Sequence, residues 1–119
     1  MNKNNKYKFN DIINTIKETY LKYGDDEVYK DNDWCLYSKD ENLLLDSCCY
    51  VLDYPEIDDE TDEEKLPLLA VKNNMNTVYR PELIQDIITS ALYQKRDATN
   101  IELLNAVHYY FENDSFLEF

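Results

Sequence analysis

The chain has 119 residues, of which 44% are hydrophobic and 13% aromatic, and a formal net charge of −13. This composition excludes an extended disordered chain, which lacks aromatic and branched aliphatic residues, and predicts one globular domain over residues 1–119. A pI near 4.3 argues against direct binding to nucleic acid or an anionic membrane, which are held through clustered Lys and Arg. With no signal-peptide pattern and no apolar run of membrane-spanning length, we expect a cytoplasmic protein.

The first predicted element is an amphipathic helix over residues 9–23. Its apolar residues recur at steps of three and four, and they are Phe9, Ile12, Ile13, Ile16, Tyr20 and Tyr23. Asn10 or Asp11 is expected to cap its start and Gly24, the only glycine of the chain, its end. Residues 1–24 carry a net charge of +3, which makes them the basic part of an acidic protein.

The middle of the chain predicts a small sheet. Residues 25–33, with a net charge of −4, are expected to be a loop. Residues 34–37 and 47–52 are rich in β-formers and predict two strands, with Trp34 in the core. Residues 68–71 fit either a strand or a helical turn, residues 73–76 a turn, and residues 77–79 a further brief strand.

Two helices are predicted at the end of the chain. Pro81 suits a first helical position, and residues 81–95 then carry one apolar face. Thr99 and Glu102 form a capping-box pattern for the last helix, whose buried face is predicted to hold Leu103, Leu104, Val107, Tyr110 and Phe111. The expected fold is α+β: an N-terminal helix, a small central sheet of three or four short strands, and a C-terminal antiparallel helix pair packed on one face.

The most unusual stretch is acidic. Residues 53–64 hold eight carboxylates and no base. Unpaired carboxylates are costly to bury, so residues 53–65 are expected to be an exposed loop that leaves the end of a strand. Such a loop is either merely solvated or binds a basic partner.

No pattern points to catalysis, a metal or a cofactor. Cys35, Cys48 and Cys49 form no CxxC pair and are expected to be buried, reduced thiols in strands. His108, the only histidine, is expected to be a partly exposed or hydrogen-bonded packing residue. The acidic run also lacks the central glycine and ligand spacing of an EF-hand. A hydrolase that depends on a metal or on paired carboxylates is the least favoured interpretation.

Tyrosine is enriched at protein interfaces because it combines a large rigid surface with one polar atom. Eleven tyrosines are more than a small core can absorb. Tyr109 points away from the predicted apolar face of the last helix, which makes it a candidate contact residue.

Three segments together resemble a family of small acidic bacterial proteins encoded beside polymorphic toxins, including immunity proteins of contact-dependent growth-inhibition systems. These segments are residues 49–53 leading into the acidic stretch, residues 82–88 with Gln94 and Lys95, and residues 109–116. The resemblance covers residues 33–117. It implies a non-enzymatic protein that acts by occlusion, and it carries over no catalytic residue.

The leading hypothesis is therefore a cytoplasmic immunity protein that binds a cognate toxin domain, a basic nuclease, in a 1:1 complex. It blocks the active site or the surface through which substrate enters, and opposite potentials speed the association. The predicted toxin-binding residues are Asp53, Tyr54, Glu56, Asp58, Asp59, Glu60, Asp62, Glu63, Glu64 and Tyr109. The alternative is an acidic nucleic-acid mimic that inhibits a DNA- or RNA-binding protein, although two short acidic segments hold most of the negative charge.

Overall fold

The computed structural model describes residues 1–75 and 77–119, and within them the chain has an α+β fold. The described part contains five helices, which are α1 (Phe9–Tyr23), α2 (Asp25–Lys30), α3 (Leu68–Lys72), α4 (Pro81–Gln94) and α5 (Asn100–Asn113). Its strands are β1 (Asn5–Lys8), β2 (Cys35–Ser38), β3 (Cys48–Leu52), β4 (Glu56–Ile57), β5 (Glu64–Lys65) and β6 (Thr77–Tyr79). The predicted α+β class and small sheet are confirmed.

Four strands form one antiparallel sheet in the order β1-β3-β2-β6. Residues paired across this ladder share a face of the sheet, and successive residues of each strand point to opposite faces. Leu36 and Val51 enter the main core, and their neighbours Cys35 and Leu52 enter a second, smaller core on the other face. The sheet is therefore apolar on both faces.

The main core joins three helices to one face of the sheet. Helix α1 packs against both α4 and α5, which also pack against each other. The buried residues of the main core include Phe9, Ile12, Ile84 and Val107, together with Trp34 as predicted. The smaller core on the opposite face is closed by Ala70 and Met75 in and just after α3.

The long helices follow their sequence patterns closely. Pro81 occupies the first turn of α4. The Thr99–Glu102 capping box is present, with the Glu102 backbone N–H donating to Thr99 Oγ1 and the Thr99 N–H to Glu102 Oε1. Residues 73–75 fit the predicted turn, and Asn74 within it has a positive φ of 55°. The last residue of the predicted turn, Asn76, lies outside the described residues.

Several predictions need correction. The helix α1 has the predicted bounds, but its N-cap is Lys8 rather than Asn10 or Asp11, and Asp11 accepts a hydrogen bond from the Lys8 backbone N–H at 3.3 Å. Phe111 is exposed rather than buried, although its ring stacks on Tyr79 at the edge of the core. Cys48 is also exposed, since its side chain alternates away from the buried Cys49 on β3.

The predicted acidic loops both contain regular structure. Residues 25–33 include the helix α2, which buries Val28 and leaves its three N-terminal acids exposed. Residues 53–65 form a two-stranded hairpin, in which Glu56 pairs with Lys65 and Ile57 with Glu64. We refer to residues 53–65 as the acidic hairpin.

Candidate functional site

The topology of the sheet brings the two acidic segments together. Strand β2 starts after residues 25–33, and β3 ends immediately before the acidic hairpin. Because β2 and β3 are antiparallel with Cys35 opposite Leu52, the beginning of β2 and the end of β3 lie at the same end of the sheet. Residues 31–33 and 53–54 are consequently neighbours. We call this region, together with the acidic hairpin that begins there, the acidic end.

Direct contacts connect these neighbours. The Tyr54 hydroxyl donates to the backbone carbonyl of Asn32 at 2.8 Å. Lys3 Nζ lies 3.0 Å from Asp53 Oδ1 and 3.6 Å from Asp33 Oδ2. The hydrogen bond that Lys3 donates to Asp53, with the charges of both carboxylates, raises the pKa of Lys3. Lys3 is exposed, so these ion pairs stabilise the fold little and mainly link the two acidic segments.

The base of the acidic hairpin is anchored in the sheet. The fully buried Tyr37 donates its hydroxyl to the carbonyl of Asp53 at 2.6 Å, and this burial raises the pKa of Tyr37. The guanidinium of Arg80 lies over the ring of Tyr54, 5.8 Å from its centroid. Arg80 follows β6, whose Tyr79 pairs with Leu36, and this pairing places it at the same end of the sheet.

The tip of the acidic hairpin is held by its own hydrogen bonds. The Asp58 N–H donates to Glu63 O at 2.9 Å, and the Asp62 N–H donates to Asp58 O at 2.8 Å. The carboxylate of Asp58 accepts from the Glu60 N–H at 2.8 Å. Asp58 therefore has a structural role in the turn as well as its negative charge.

All seven acids between Glu56 and Glu64 are exposed. Within the described residues, none of the acids between Glu56 and Glu64 forms an ion pair with a basic side chain. These exposed acids are Glu56, Asp58, Asp59, Glu60, Asp62, Glu63 and Glu64. An ordered hairpin thus presents a dense group of charges that the described part of the chain leaves uncompensated.

The acidic segment before β2 is also fixed in place. Gln85, buried in α4, donates from Nε2 to Val28 O at 3.1 Å and to Asp31 O at 2.7 Å. Trp34 Nε1 donates to the same Asp31 carbonyl at 3.1 Å. These bonds hold the end of the segment against α4. Buried side chains therefore anchor both acidic segments, Gln85 and Trp34 before β2 and Tyr37 at the base of the acidic hairpin.

Tyr109 is not part of this region. It lies on α5 and is half-exposed, at 36%. The neighbouring His108 contacts the carbonyl of Leu43 through Nε2, and Leu43 belongs to the connection between β2 and β3. That connection is at the opposite end of these strands from Cys35 and Leu52. The structure therefore brings together the predicted hairpin residues and Asp33 but separates Tyr109, while His108 is the hydrogen-bonded packing residue that was predicted.

Sequence reasoning did not identify Lys3, Asp33 and Arg80 as members of the acidic end. Each of them lies just before or just after a strand of the sheet. That position is visible in the sequence once the strands are known, but the strand order that unites the three is not.

In residues 1–75 and 77–119, no group of three or more His, Cys, Asp or Glu side chains is arranged to hold a metal ion. Over the same ranges, no helix has the length and apolar character to cross a bilayer.

Comparison with known proteins gives one match. Residues 10–119 match a protein family described as Domain of unknown function (DUF7716). A comparison with curated proteins finds no match, and a comparison with solved structures finds none either.

Proposed function

We propose a binding function for this chain, which belongs to the DUF7716 family of domains of unknown function: it acts as a non-enzymatic immunity protein that neutralises a basic toxin domain. The observation that carries the proposal is the placement of two acidic segments at one end of the sheet, linked by Lys3 and by the Tyr54–Asn32 hydrogen bond. The resemblance to immunity proteins encoded beside toxins supplies the biological class.

The arrangement favours a partner with a concentrated positive surface. A nuclease presents such a surface, because its cleft must hold nucleic-acid phosphates through Lys and Arg. Exposed carboxylates on an ordered hairpin can enter or cover that cleft without a large ordering cost, since the hairpin is already folded. Opposite potentials would also speed the encounter, which matters when each free toxin molecule acts on many substrates.

The proposed complex is 1:1 and cytoplasmic, with the acidic end over the active site or the surface through which substrate reaches it. Seven unpaired carboxylates are concentrated in the acidic hairpin, which leaves one end of the sheet, rather than spread along an extended face. This concentration favours occlusion of a local cleft over mimicry of a long nucleic-acid duplex.

Co-expression with a toxin encoded by the neighbouring gene tests the proposal in cells. The hairpin variant replaces Glu56, Asp58, Asp59, Glu60, Asp62, Glu63 and Glu64 with Asn or Gln. The scattered variant makes the same replacements at seven exposed acids elsewhere, which are Glu18, Asp40, Glu41, Asp46, Asp97, Glu112 and Glu118. Both variants have the same net charge.

We expect wild-type protein and the scattered variant to restore growth, and the hairpin variant to leave the toxin active. Equal protection by all three proteins would show that the acidic hairpin is not the toxin-binding surface.

A further inference from the structure

The short helix α3 turns its large aliphatic side chains toward solvent and not toward the sheet. It buries Ala70, its smallest side chain, and exposes 68% of Leu68 and 55% of Val71. Leu69 is exposed as well. A helix that served only to cover the sheet would turn its large aliphatic residues inward.

The orientation of α3 is set by its neighbours on both sides. Pro67 precedes its first turn, and Ala70 and Met75 together close the smaller core. The Met75 N–H donates to Ala70 O at 2.9 Å, which ties the segment after α3 to its buried residue. Leu68, Leu69 and Val71, which we call the α3 patch, are thereby held in solvent.

The α3 patch adjoins the acidic hairpin. Leu68 lines a shallow cavity of about 220 Å³ together with residues of the hairpin and the segment that follows it, which are Asp53, Tyr54, Glu56, Lys65, Leu66 and Pro67. Large aliphatic side chains beside a charged, exposed border match the anatomy of a protein interface, in which an apolar centre is surrounded by polar residues.

A second copy of this chain is a poor occupant for the patch. Self-association through α3 would bring two acidic hairpins close together in a protein that already carries a net charge of −13, and like charges would oppose it. A partner that combines aliphatic and basic residues meets both the apolar patch and the adjoining carboxylates.

We infer that the α3 patch is the apolar anchor site for a basic partner protein, and that it receives an aliphatic side chain flanked by Lys or Arg residues. This inference rests on the proposed function only in taking the partner to be basic. The acidic hairpin controls the rate of association, and the α3 patch controls how long the complex lasts.

The test uses two synthetic lysine peptides of equal length and charge, one with leucines and one with serines between the lysines. Each is titrated against wild-type protein, a Leu68→Ser/Val71→Ser double variant and an Ile101→Ser control, whose isoleucine is an equally exposed residue on α5. Thermal unfolding of the three proteins checks that these surface changes leave the fold intact.

We expect the leucine peptide to bind wild-type protein and the Ile101→Ser control about tenfold more tightly than the serine peptide. The double variant should lose this preference but keep the salt dependence of binding to both peptides.

If the wild type binds both peptides equally, the anchor site is refuted and the acidic hairpin remains a binding surface. If neither peptide binds in a salt-dependent way, the proposed function itself fails. If ultracentrifugation shows a wild-type dimer that the double variant loses, the patch is a self-association site and the inference is overturned.

Discussion

Cys35 and Leu52 face each other across the β2–β3 ladder, and this pairing decides where the negative charge of the protein lies. The acidic residues before β2 and after β3 are separated by about twenty residues of chain, yet they meet at one end of the sheet. The β2–β3 pairing thus brings the end of one acidic segment beside the start of the other, where Lys3 lies between Asp33 and Asp53.

The bond between Tyr37 and Asp53 should contribute measurably to stability. Tyr37→Phe removes a buried hydroxyl that donates to Asp53 O and leaves that carbonyl without its partner. We expect a loss of about 1–2 kcal/mol in the free energy of unfolding, measured by urea denaturation. Tyr54→Phe is the matched control, because its hydroxyl bonds to Asn32 O at the surface and should contribute about 0.5 kcal/mol or less. Equal losses in the two variants would contradict the anchoring role of Tyr37.

Gln85 should be required to hold the segment before β2. Gln85→Met keeps the volume of the side chain but removes both hydrogen bonds to Val28 O and Asp31 O. We expect a loss of about 1–2 kcal/mol in unfolding free energy, because Val28 O and Asp31 O both lose a donor and only Asp31 O keeps a second side-chain donor, Trp34 Nε1. Hydrogen exchange should also speed up in α2. The control is Gln94→Met on the same helix, since Gln94 makes its bonds at the surface. A stability change no larger than that of the control would show that Gln85 does not anchor this segment.

The three cysteines should differ sharply in reactivity. Burial raises the pKa of Cys35 to about 11 and that of Cys49 to about 12, so both thiols stay protonated and inaccessible near neutral pH. A thiol reagent at pH 8 is therefore expected to modify only Cys48 in the native protein, and all three cysteines after unfolding in urea.

Cys48→Ser provides the control for this measurement. In the native state the variant should show no rapid modification at all. Rapid native modification of a second thiol would contradict the placement of Cys35 or Cys49 in the cores.

The sequence predicted the elements that have strong local signals. The helices α1, α4 and α5 carry apolar residues at helical spacing over fourteen or fifteen positions, and the pattern places their boundaries within about one residue. The strands β2 and β3 are rich in β-formers and were predicted for the same reason.

The elements that were missed depend on tertiary contacts. The strand β1 is nearly all polar, and only its pairing with β3 makes it a strand. The helix α2 buries the single residue Val28, which is too weak a pattern to detect. The two-residue strands of the acidic hairpin contain mostly Glu and Lys, which are poor β-formers, so only their pairing with each other defines them.

The candidate site was predictable in part. The acidic run and its exposure follow from the cost of burying unpaired carboxylates. Tyr109 was assigned to the site because tyrosine is common at interfaces and because it points away from the apolar face of its helix, and neither property says which end of the molecule a residue occupies. The clustering of Lys3, Asp33 and Asp53 depends on the strand order β1-β3-β2-β6, which local sequence patterns do not encode.

The most direct test of the central claim is the salt dependence of affinity for the basic toxin domain. Isothermal titration would compare wild-type protein with the hairpin variant and the scattered variant over a range of salt concentrations. We predict that the hairpin variant loses roughly a hundredfold in affinity at low salt and most of its salt dependence, whereas the scattered variant loses less than about fivefold. Equal losses for the two variants would contradict the account, because binding would then depend on total charge and not on the acidic end.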